Sequence, residues 1–126
     1  MLTWIFIGIA IYVAGLFLPS LFLMSRIGIP SYFGTRDDAP SPSVMHARSL
    51  RAHRNFLESL PVFLAFGFAA MVVSDADIAL ATTGAMLFVI ARALFLPLYL
   101  LGVPWLRSAA WSVGFVALLL MGYALI

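Results

Sequence analysis

The sequence predicts an all-α membrane protein, a bundle of four transmembrane helices, and three observations carry that prediction. Of the 126 residues, 64% are hydrophobic and only 10% charged, a balance that water-soluble globular domains do not show. Mean hydropathy is +1.11. Four predominantly apolar stretches are each long enough to cross a hydrocarbon core about 30 Å thick. The residues between them gather into one polar loop and two short turns. No internal repeat or low-complexity segment divides the chain, so residues 1–126 read as one domain with spans near 2–24, 44–73, 78–101 and 104–126.

The first span, Leu2 to Met24, has 23 residues and no charge. At about 1.5 Å per residue it reaches roughly 34 Å. The leading residues lack the basic flank of a cleavable signal, and the apolar run is too long for one, so the sequence predicts a retained helix. Gly8 and Gly15 share a face suited to close helix approach, and Pro19 is placed to kink the last turns. Arg26 to Pro42 is rich in Gly, Pro, Ser and Asp and reads as a loop. Ser43 is then positioned to cap a second helix, Val44 to Val73, whose 30 residues exceed a bilayer core and leave its first turns among the headgroups. Pro61 leaves the Leu57 carbonyl without its helical donor. A short turn at Ser74 to Asp77, with Asp77 as cap, leads into the third span, Ile78 to Leu101. Gly102 and Pro104 separate this from the fourth, where Trp105 and Trp111 suit an interfacial belt.

The charges set an orientation and exclude several classes of function. Six of the seven arginines (Arg26, Arg36, Arg48, Arg51, Arg54 and Arg107) fall in or beside the first and third connections, and there is no lysine. An excess of positive charge marks cytoplasmic loops, so both connections are expected inside a bacterial inner membrane and both termini outside. Most of the arginine lies in one short segment between apolar spans, unlike the basic stripe of a nucleic-acid-binding face, so no nucleic-acid partner is expected. Without cysteine the chain has no disulfide, thiolate metal site or cysteine nucleophile, and any thiol chemistry must use the ligand's thiol. His46 and His53 have no third ligand at suitable spacing, so no metal site is expected and both read as interfacial polar residues.

The candidate site centres on Arg51 to Glu58, which reads Arg-Ala-His-Arg-Asn-Phe-Leu-Glu. On a helix, Arg51, Asn55 and Glu58 share one face, with Arg48 a turn earlier and Arg54 four residues before Glu58. A carboxylate at the mouth of an apolar helix needs a partner or a cationic ligand. Arginines fork onto carboxylates, an asparagine offers a donor and an acceptor, and a glutamate holds an ammonium. The set suits a small zwitterion with an excess of carboxylates. Arg92 lies inside the third span, with Tyr99 further along its face. It has two compatible readings: a helix-joining pair with Glu58 or a snorkelling cation, and the lining of a polar cavity. Ser108, beside Arg107, reads as an N-cap or as a hydroxyl aimed, with helix-terminal amides, at a developing anion.

The Arg-Ala-His-Arg-Asn-x-x-Glu motif followed closely by proline, then Arg92, Tyr99, Gly102, Pro104 and Arg107-Ser108 over four spans, resembles the MAPEG family. These are the membrane-associated proteins in eicosanoid and glutathione metabolism. The resemblance covers nearly the whole chain, and Gly34 to Asp37 is similar to a bacterial branch. It implies a homotrimer that binds glutathione as co-substrate in a cytoplasm-facing pocket between neighbours. By this likeness Arg54, Asn55 and Glu58, beside Arg51, hold the peptide, Arg92 and Tyr99 contribute from the third span, and Arg26 reaches in from an adjacent copy. Arg107 stabilises the thiolate and Ser108 assists. Two positions depart from the pattern: Phe95 stands where some eukaryotic members have histidine, and Trp111 where several have tyrosine. The connection from Tyr99 to Arg107 is also one residue tighter than in prostaglandin-forming members.

The function expected is a glutathione-dependent membrane enzyme that conjugates glutathione to hydrophobic electrophiles or reduces lipid peroxides. Its apolar substrate would enter from membrane lipid along a seam between the first and last spans. The alternative is a non-catalytic lipid-binding or accessory membrane protein on the same fold.

Overall fold

A computed structural model describes all 126 residues. It contains α1 (Leu2–Ile27), a single turn α2 (Ile29–Tyr32), α3 (Val44–Val72), α4 (Ile78–Leu101) and α5 (Pro104–Tyr123), with no strand. All but α2 are long and apolar enough to cross a membrane. The expected ends of the helices follow local chemistry. The Ser43 hydroxyl accepts from the His46 amide at 3.2 Å, and the Asp77 carboxylate accepts from the Leu80 amide at 2.9 Å. Pro104 opens α5 where its missing N–H is not needed.

Three helix ends differ from the sequence reading: α3 stops at Val72 rather than Val73, α5 at Tyr123 rather than Ile126, and the end of α1 moves furthest. The first helix continues past Met24 to Ile27, so Arg26 lies in its last turn rather than in a loop. A cation there complements the carbonyl end of the helix, and Gly28, at φ 79°, ends it. The connection that follows holds the turn α2, which begins Ile29-Pro30. Arg26 Nη1 donates to the Ser41 carbonyl at 2.6 Å and ties the far end of this loop back to α1.

Helix α4 is the hub, packing against α1, α3 and α5. Helix α3 also meets α1 and α5, whereas the backbones of α1 and α5 stay apart. The centre is aromatic: Phe63 and Phe88, both fully buried, stack at 4.5 Å and 16°, with Ile5, Val89 and Met121 around them. Helices in lipid hold together by close packing rather than by exclusion of water, and small residues permit that closeness. Gly84 shows it best, since a Cβ there would lie 2.7 Å from Met121 Cγ and 3.0 Å from the Ala117 carbonyl oxygen of α5. Gly8 and Gly15 are buried in α1, as their spacing predicts.

The two histidines turn toward the bundle. His46 is 8% exposed, and His53 packs its ring on Tyr12 of α1 at 5.0 Å between centroids. Their face of α3 continues the face that meets α1, so the same packing that buries Phe56 also buries their rings.

Candidate functional site

A groove runs along the side of the bundle where α3, α4 and α5 meet, and it has two parts. The upper cavity, about 330 Å³, is lined by Asn55, Phe95, Tyr99, Arg107, Ser108, Trp111 and Ser112. The lower, about 370 Å³, is bordered by Asn55, Glu58, Ser59 and Arg92 and otherwise by apolar side chains, chiefly Val62, Phe66, Phe115 and Leu118. Asn55 and Trp111 belong to both walls and join the two spaces. One end is therefore polar and cationic, and the other apolar.

Two guanidinium groups flank Tyr99. Arg107 lies 4.7 Å and Arg51 6.0 Å from the centroid of its ring, one from α5 and one from α3. The negative face of an aromatic ring holds cations without neutralising them, so both retain their donors for an anion. The turn that presents Arg107 is fixed from α3. Arg48 Nη1 donates to the Leu100 carbonyl at 2.8 Å, and its guanidinium lies against Gly102, the left-handed residue (φ 73°) that ends α4. A Cβ on Gly102 would sit 2.7 to 2.9 Å from that guanidinium, so a side chain there would push Arg48 aside.

Arg92 is 3% exposed and sits between the rings of Phe56, Phe88 and Phe95, its guanidinium carbon 5.2 to 5.7 Å from their centroids. Its Nη1 donates to Asn55 Oδ1 at 2.8 Å, while its Nε has no partner. The expected pairing of Arg92 with Glu58 does not form, nor does Arg92 snorkel. Glu58 instead lies 4.0 Å from Arg54 Nε, and these two side chains are 66% and 84% exposed. The physical reason is position: Asn55, three residues earlier on the same helix, lies within hydrogen-bond reach of Arg92, while Glu58 stays at the surface beside Arg54.

The structure thus gathers Asn55, Glu58, Arg92, Tyr99, Arg107 and Ser108 around one groove, with Arg51 bordering it through Tyr99 and Arg54 beside Glu58. Arg26 is not brought there within one chain. Ser108 is not the N-cap: Val103 precedes the helix and Ser108 lies past its first turn, which leaves the hydroxyl as its contribution. Trp111 forms a groove wall and stacks on Phe115 at 5.5 Å, and Trp105 is 87% exposed. Phe66, Ser112 and Phe115 went unread as site residues. The signal was present: Ser108, Trp111, Ser112 and Phe115 recur at helical spacing on one face of α5. No group of three or more histidine, aspartate or glutamate side chains converges.

A comparison with family models matches the description MAPEG family over residues 1–126. The chain belongs to the MAPEG family. It is therefore an integral membrane protein of a family associated with eicosanoid and glutathione metabolism. Comparisons with curated proteins and with solved structures return no significant match. In this MAPEG protein the helix-two motif of the sequence occupies α3, and its Asn55 and Glu58 face the groove.

Proposed function

We propose that this MAPEG protein is a glutathione-dependent membrane enzyme, one that conjugates glutathione to hydrophobic electrophiles or reduces lipid peroxides. The supporting observation is the groove itself, in which a cation- and hydroxyl-bearing cavity opens through Asn55 and Trp111 into an apolar one. Glutathione carries two carboxylates and an ammonium. Arg51, Arg54 and Asn55 suit its anionic ends, and Glu58 suits the ammonium. Arg92 supports Asn55 from behind. Arg107, on the ring of Tyr99 and beside Ser108, is placed to favour a thiolate, lowering a thiol from its ordinary value of about 8.5 and raising the nucleophilic fraction at neutral pH. The apolar cavity then holds the second substrate against the sulfur.

Residues 1–126 act as one unit in this reading, as a homotrimer with the Arg-rich connections facing the cytoplasm of a bacterial inner membrane. The exposure of Arg54 and Glu58 supports assembly, because a charged pair on the side of a membrane bundle gains by being covered with polar groups from a neighbour. Arg26 of an adjacent copy is the candidate. A seam between α1 and α5, through which an apolar substrate enters from lipid, would form between copies, since the two backbones stay apart within one.

The test is calorimetric titration of glutathione into detergent-purified protein, comparing wild type with folded Glu58→Gln and Arg54→Ala variants. Saturable binding weakened in both variants supports the pocket, and turnover lost in Arg107→Ala with binding retained supports the enzyme. No binding by folded wild type refutes the proposal and leaves a lipid-binding or accessory protein on the same fold.

A further inference from the structure

Arg92 makes one hydrogen bond with a side chain, and the chemistry of its partner gives that bond a direction. A guanidinium only donates, so the atom of Asn55 facing it must be the amide oxygen. The carboxamide is planar, and with its oxygen held at 2.8 Å by a side chain that is 3% exposed, its NH2 is committed to the opposite side. Asn55 walls both cavities. We infer that Arg92 is a positioning residue: it locks the Asn55 carboxamide with its NH2 toward the groove, so that the site offers a donor at the junction of its polar and apolar parts and selects a ligand with a carbonyl or carboxylate oxygen there. This rests on the proposed glutathione site and adds to it the polarity of one subsite and the residue that sets it.

Three observations make the lock firm. Phe56, Phe88 and Phe95 enclose the guanidinium on three sides, so it has little freedom to swing away. No carboxylate competes for it, because Glu58 stays with Arg54 at the surface. On the α5 side, Gly114 closes the space, and a Cβ there would lie 3.8 Å from Arg92 Nε. Rotation of the carboxamide by half a turn would set NH2 against a buried cation with no acceptor for it, an arrangement the site cannot tolerate.

The chain supplies its own probe. Asn55 is its sole asparagine and it has no glutamine, so the wild-type protein contains a single side-chain NH2 group of the carboxamide type. Protein labelled with 15N-asparagine in detergent micelles should show one resolved NH2 proton pair that shifts on saturation with glutathione. Arg92→Gln, which can still donate to Oδ1, should keep the dispersed pair and hold glutathione within about threefold of wild type. Arg92→Leu should collapse the pair toward the values of a free amide and weaken binding about tenfold, the usual cost of one ligand hydrogen bond. Asn55→Asp provides a second arm independent of any packing defect at Arg92: the carboxylate pairs with the arginine, but the donor is gone, and glutathione should again weaken about tenfold.

The inference is overturned if glutathione saturates the wild type without moving the NH2 pair, or if folded Arg92→Leu or Asn55→Asp binds like wild type. If wild type binds no glutathione, the proposed function and the ligand preference inferred here both fall. The ligand-free spectra of wild type and Arg92→Leu still report whether Arg92 holds the amide, so the two failures are distinguishable.

Discussion

The turn between α4 and α5 gives a quantitative test of how the site is held. Gly102→Ala forces an L-residue to keep φ 73°, and it places a Cβ 2.7 to 2.9 Å from the Arg48 guanidinium, which must move. The left-handed conformation costs about 1–2 kcal/mol. Loss of the charged hydrogen bond from Arg48 to the Leu100 carbonyl costs about 1.5–3 kcal/mol more. The single substitution should therefore destabilise by roughly 2.5–5 kcal/mol, and Arg48→Ala alone by roughly 1.5–3. In the double variant the clash has no partner and the bond can be lost only once, so its cost should match Gly102→Ala alone. The coupling energy is then about −1.5 to −3 kcal/mol, well outside the roughly 0.5 kcal/mol scatter of independent sites. Reversible unfolding in mixed micelles, followed by helical circular dichroism against denaturing detergent, measures all four corners. Additive costs would refute the claim that Arg48 and Gly102 act as one clamp on the turn bearing Arg107.

Three further substitutions probe other parts of the molecule. Tyr99→Phe keeps the ring under Arg51 and Arg107 and should leave glutathione affinity within about twofold, while Tyr99→Leu removes two cation–ring contacts worth about 0.5–1 kcal/mol each and should weaken it about fivefold to thirtyfold in the same calorimetric titration. Gly84→Val drives a side chain into Met121 and the Ala117 carbonyl and should cost about 1–3 kcal/mol or more, read as a lower midpoint in the micelle unfolding assay. Asp77→Ala removes the cap on the Leu80 amide for about 1 kcal/mol, with ligand binding unchanged because Asp77 lines neither cavity.

Hydropathy and punctuation made most of the architecture legible. Four long apolar helices, the Ser43 and Asp77 caps and the Gly102-Pro104 break all follow from short-range chemistry, and the structure contains each of them. The extension of α1 to Ile27 was harder to see because Arg26 resembles a loop residue, although a cation also suits a helix C-terminus. The site was legible as a set of residues but not as a set of pairs. Asn55 and Glu58 share a face of α3, and which of them meets Arg92 depends on the height at which α4 crosses. Spacing along one helix carries no information about that height. The inward turn of His46 and His53, and the place of Trp111 in a groove wall, depend likewise on which neighbour each helix face meets.

The position of Arg92 also has a consequence for how a copy of this protein is made. Chains are synthesised from the N-terminus, and α1, α3 and α4 contact one another, so these three can associate before α5 exists. The side of Arg92 that α5 covers, near Gly114, Trp111 and Phe115, is then open to the bilayer. An arginine at that depth is costly where it faces lipid, and α5 replaces the lipid on that side with protein packing while Arg92 Nε stays without a partner. An unfinished copy therefore differs from a complete one by a cation laid bare to oil.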